Sequence, residues 1–163
     1  MNAHEEEQVR TLVLAVGNLL MTDEGAAIHV LDYLQQQEQS YDDVIYMDGG
    51  TLSFSIAGHI ENAEELIIID AAELKAEPGT VATFIGDDME KQLGNCKLSV
   101  HEVGLVDLMD MAKLSGHLPE KRALVGIQPL TIADWSDQPS EPVRAAIPIA
   151  AKAVNEIIDG WRA

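Results

Sequence analysis

The chain has little to offer the chemistries that rely on cysteine or on positive charge. Its one cysteine, Cys96, cannot form an intrachain disulfide, a Cys–Cys zinc site or an iron–sulfur cage, which points to a reducing, cytoplasmic setting. Only 10 lysines and arginines stand against 28 acids, for a net charge of -18. Such a surface repels phosphate backbones and anionic lipid, so no nucleic-acid or membrane-surface role is expected. No apolar run approaches the ~20 residues that span a bilayer. The opening MNAHEEEQVR is acidic and polar without an apolar core, so no secretory signal is expected in it. A Walker-type GxxxxGK[ST] is missing, and VGNLLMTDEG supplies only the first glycine of a dinucleotide fingerprint. No repeat, low-complexity tract or linker divides the chain.

What is present suits one folded domain. Apolar residues make up 47% of 163, enough for a core in a chain that buries roughly 70% of its unfolded surface. Residues 1–10 read as a flexible acidic tail and 11–163 as a single α/β domain. TLVLAVG (11–17), VIYMDGG (44–50), ELIIIDA (65–71), TVATFIG (80–86) and RALVGIQ (122–128) are short apolar runs, three of them closed by glycine. Continuous rather than alternating apolar residues describe strands covered on both faces. Between them, helical spacing predicts helices over about 26–37, 52–62, 100–115 and 139–161. The alternation predicts a three-layer α/β/α sandwich around a mainly parallel, twisted, five-stranded sheet. The short connection before 80–86 allows that strand to run antiparallel.

Ligands of open α/β sheets bind outside the carboxyl ends of the parallel strands. Three of those ends carry acids: Asp23 and Glu24 after the first strand, Asp48 in DGGT after the second, and Asp70 closing the very apolar third. Ser99 and Glu102 have capping-box spacing, which predicts His101 in the first turn of a helix. There the helix dipole disfavours imidazolium and leaves a neutral ring able to ligate a metal. Glu24, Asp70 and His101 would form a two-carboxylate, one-imidazole site suited to zinc, nickel, manganese or iron. Other roles are open. Thr22 or Asp23 can cap the helix that follows, Asp48 can hold the Gly-Gly turn, and Gly17 and Gly104 can serve close packing. Cys96 reads as a small residue rather than a thiol nucleophile.

The motifs GNLLMTDEG (17–25), DGGT (48–51), IIIDA (67–71), SVHEVGL (99–105) and LVGIQP (124–129) resemble, in order and spacing, the maturation endopeptidases of nickel–iron hydrogenases. The resemblance covers residues 11 to about 158. It implies an enzyme that removes a C-terminal extension from the large-subunit precursor after nickel insertion, and metal ligation by Glu24, Asp70 and His101. Nickel would come with the substrate, and zinc or cadmium could take its place in vitro. Asp48 matches a motif position and is the candidate catalytic residue. A monomer is expected. The alternative is a module that checks nickel in the large subunit without cutting it.

Overall fold

The computed structural model describes residues 9–38, 41–50, 55–95 and 100–163. Five strands form one sheet in the order β2-β1-β3-β5-β4. They are β1 (Val9–Ala15), β2 (Val44–Asp48), β3 (Ala63–Ala71), β4 (Val81–Ile85) and β5 (Lys121–Ile127). β1 runs parallel to β2 and β3, and β3 parallel to β5. β4 pairs antiparallel with β5, as its short connection allowed.

The continuous apolar runs are explained by the alternation of side chains across the sheet. Val13, Ala15, Ile67, Ile69, Val125 and Ile127 enter one core with α1 (Ala26–Gln36) and α5 (Glu141–Arg162). Leu12, Leu14, Leu66, Ile68 and Leu124 enter the other with α2 (Ser55–Glu61), α3 (Asp87–Asn95) and α4 (Val100–Leu114). Each of the three central strands is therefore apolar on both faces, and three layers result.

Three expectations need correction. β1 begins at Val9, so the first ten residues are not all tail; residues 1–8 lie outside the described residues. α3 was not foreseen. Among its described side chains, residues 87–93, only Met89 and Leu93, one helical turn apart, are buried, too narrow a stripe to stand out from a polar stretch. Among the described residues Gly104 is not a packing glycine, because a Cβ built on it meets none of them within 4 Å.

Connectivity fixes which end of each helix lies at which rim of the sheet. Arg122, at the start of β5, pairs with Asp87 at 2.9 Å and with Glu90, so α3 begins at the lower rim, where the parallel strands start. The Ser115 hydroxyl, just past α4, donates to Glu61 at the end of α2 at 2.9 Å. Since α2 leads down into β3, α4 also ends at the lower rim. Its first turn, with His101, is at the upper rim, roughly 20 Å away at 1.5 Å per residue.

The lower rim is closed by an ion network. The buried Glu65 accepts from the Thr11 hydroxyl and from Arg162 Nη1, each at 2.5 Å, while Arg10 and Lys121 approach to 3.6 and 3.8 Å. Arg162 also reaches Asp43 at 3.0 Å and Thr11 at 2.9 Å. The last helix is thus fastened to the starts of β1 and β3. Burial pushes the Glu65 carboxyl up, but the Thr11 hydroxyl and the Arg162 guanidinium outweigh it, and the net pKa is lowered.

Candidate functional site

At the upper rim the ends of β1, β2 and β3 are joined by backbone hydrogen bonds. Val16 N–H donates to the Ile69 carbonyl at 3.0 Å, Gly17 N–H to Gly50 at 2.9 Å, and Gly49 N–H to Ala15 at 2.8 Å. After β1 the chain turns back through a one-turn 3-10 helix, Thr22–Gly25. This return requires glycine: a Cβ on Gly17 would lie 2.0 Å from the Glu24 carbonyl oxygen, and one on Gly25 2.8 Å from the Leu19 Cα. Glu24 therefore lies against the residue next to Val16, and Val16 is bonded to the residue before Asp70.

Glu24 is half-buried. Asp70 is 2% exposed and shares the parity of Leu66 and Ile68, the sheet face covered by α2 and α4. A carboxylate at that depth must be well partnered, because burial of an unpartnered charge is costly. Asp48 is the last residue of β2 and is exposed; its Oδ1 accepts the Gly50 N–H at 2.8 Å. The turn-holding role is therefore real, whatever else this carboxylate does. His101 is the second residue of α4, the helix whose first turn is at this rim, and its side chain lies outside the described residues. So do Cys96, Ser99 and Thr51. Among the described residues no three His, Cys, Asp or Glu side chains form a metal-binding group; the expected trio has one member beyond them. As donors, two carboxylates and an imidazole suit a divalent nickel or zinc ion.

Asp23 does something the sequence did not disclose. It does not cap α1, whose N-cap is Gly25 without a side-chain bond. Fully buried, it reaches instead across to the loop between β5 and α5. Oδ2 accepts from Leu130 N–H at 2.8 Å, Thr131 N–H at 3.2 Å and the Ser140 hydroxyl at 2.7 Å; Oδ1 accepts from Ser140 N–H at 2.7 Å. Thr22, at a φ of 50°, adds a bond from its hydroxyl to the Asp134 carbonyl at 2.5 Å and from its N–H to Ser136 at 2.9 Å. A left-handed threonine is strained, and these bonds hold it. Partners more than a hundred residues away leave no trace in local spacing, so only the adjacency of Asp23 to Glu24 could have drawn attention to it.

A sequence model of the hydrogenase maturation protease family matches residues 28–157. This chain belongs to that family. The hydrogenase 2 maturation protease of Escherichia coli K12 is 36% identical over 122 residues, which is 74% of each chain. The hydrogenase expression/formation protein HupD of Rhizobium leguminosarum bv. viciae is 33% identical over 152 residues, covering 93% of this chain and 75% of that protein. The solved structure of the hydrogenase maturating endopeptidase HybD from E. coli superposes with a TM-score of 0.83 at 34% identity, covering 89% of both chains. Membership in a family of proteases makes this hydrogenase maturation protease an enzyme and decides against the non-cutting module. Among the described residues no helix is long and apolar enough to cross a membrane.

Proposed function

We propose that this endopeptidase removes the C-terminal extension of a nickel–iron hydrogenase large-subunit precursor once that precursor carries nickel. In this reading Glu24, Asp70 and His101 engage the substrate's nickel and thereby measure whether it has been inserted. The observation that carries it is the shared rim: Glu24 folds back onto Gly17, one residue past the Val16–Ile69 bond that leads to Asp70. A precursor without nickel offers these groups no cation, and its tail then docks without register.

Hydrolysis adds water across the scissile amide. The water oxygen bonds to the carbonyl carbon, the C–N bond breaks, and the released amine takes a proton. Asp48 is the candidate to accept the proton of the attacking water, since one of its oxygens is already oriented by Gly50. Zinc or cadmium bound in place of nickel would serve as a probe of the same ligands. The enzyme acts as a cytoplasmic monomer, a reading supported by the single cysteine and the acidic surface.

The test is processing of purified nickel-loaded precursor, read by the mass of the large subunit. Glu24→Ala, Asp70→Ala and His101→Ala should each slow cleavage by about a hundredfold to a thousandfold, the range found when one preorganised polar group is removed from a site. Asp48→Asn should lower kcat with little change in KM. Full activity in all three alanine variants contradicts the reading.

A further inference from the structure

The upper rim also carries an apolar surface that the chemistry above does not use. Leu19 and Leu20, in the loop after β1, are 38% and 54% exposed; Leu130 and Trp135, in the loop after β5, are 59% and 77% exposed. The two loops form one surface. Ser136, next to Trp135, donates its N–H to the Leu20 carbonyl at 2.9 Å and makes a parallel bridge with Met21. Leu130 N–H is held by Asp23. The Asn18 side chain fixes the Leu19-Leu20 turn by accepting from Leu20 N–H at 3.0 Å. Four large apolar side chains are thus held out to solvent by a backbone whose bonds are made, and one of them, Leu20, is four residues from Glu24. An exposed patch of this kind on an otherwise charged protein marks an interaction site.

The surroundings specify the partner's charge. Residues 17–25 and 128–141 contain no Lys or Arg, while Asp134, Asp137 and Glu141 stand exposed around Trp135. We infer that this patch is the docking surface for an apolar segment of the substrate precursor flanked by basic residues, and that it sets the affinity for the substrate while the carboxylates next to it serve cleavage. The inference rests on the proposed function and adds to it the substrate contact outside the reacting bond. Rigid exposed aromatics ringed by charge are the usual anchors of such contacts, and opposite charge raises the rate of encounter.

The test uses the full chain with Trp135→Ser and the double variant Leu20→Ser/Trp135→Ser. Both sites are exposed, so folding, checked by thermal melting, should hold. With nickel-loaded precursor, KM should rise about tenfold for the single variant and further for the double, with kcat within about twofold; one such truncated anchor is a tenfold effect or more. The wild-type KM should also rise with salt. In a Trp161→Phe background, where Trp135 is the only tryptophan, emission should shift to shorter wavelength on adding precursor. Unchanged KM and unshifted emission, with wild-type cleavage intact, overturn the docking surface and leave the proposed function standing. A wild type that does not cleave overturns the function itself. Sedimentation showing a wild-type dimer that the double variant dissolves assigns the patch to a second copy of this chain and also overturns the inference.

Discussion

The two rims of the sheet bury acids in opposite ways. At the lower rim Glu65 is surrounded by Arg162, Arg10 and Lys121, all within 4 Å. At the upper rim Asp23 is held by neutral N–H and hydroxyl groups, and the loops after β1, β2 and β5 have no Lys or Arg in their sequence. With only 10 basic residues against 28 acids, where the cations are placed is informative. Four of them, Arg10, Lys121, Arg122 and Arg162, make ion pairs at the lower rim. That end of the molecule neutralises its acids internally. The other orients Asp23 and Asp48 through neutral donors and places no Lys or Arg in the loops after β1, β2 and β5, while the loop after β3 carries Lys75, an arrangement suited to a substrate that brings its own cation.

The largest effect that separates the rims should come from the carboxylates nearest the chemistry. Glu24→Ala should lose cleavage while the melting temperature stays near that of wild type, because Glu24 is half-buried at a loop. A large drop in melting temperature would assign it to the fold instead.

Next is Asp23→Ala, which should affect both stability and activity. Removing the carboxylate strands four donors, three of them backbone N–H groups, and should cost about 4 kcal/mol or more, since each buried donor left unpaired costs about 1–3 kcal/mol. Cleavage should fall too, because the 3-10 turn carrying Glu24 loses its tie to the loop after β5. Chemical denaturation with the processing assay checks both; stability lost with the rate constant intact would show that the tie does not position Glu24.

At the lower rim, Glu65→Gln should cost about 3 kcal/mol, the low end for breaking a buried pair, given that Arg162 keeps Asp43. kcat and KM should not move. The same residue sets the smallest effect, a pH dependence. Its folded pKa lies below the ordinary value, so its contribution is complete above about pH 4.3 and is lost as pH falls from there through the folded value. Melting temperature between pH 5 and pH 3 should therefore fall less steeply in Glu65→Gln than in wild type. Parallel curves would remove Glu65 from the account of acid lability.

Much of the fold was legible because central parallel strands carry an unambiguous signal: LVLAV and LIIID have no polar face to confuse. The antiparallel edge strand followed from the length of one connection. α3 was hidden because only two of its described side chains, Met89 and Leu93, are buried in the core. At the site, the acids at strand ends were readable, since strand direction alone sends Glu24, Asp48 and Asp70 to one rim. Asp23 was not, because its partners at 130, 131 and 140 are brought to it only by the closed fold. Nor was the meeting of the loops that carry Leu20 and Trp135, which are joined by a bridge between residues 21 and 136 and by the bonds of Leu20, Thr22 and Asp23. Local chemistry can be read from spacing; a contact between distant loops cannot.

The claim on which the function depends is that nickel in the substrate is what the upper rim measures. The most direct measurement compares, in one assay, the cleavage rate of the same large-subunit precursor with and without nickel, followed by intact mass. The account predicts rapid loss of the extension from the nickel-loaded precursor and cleavage at least about a hundredfold slower from the nickel-free form. Equal rates on the two would contradict it.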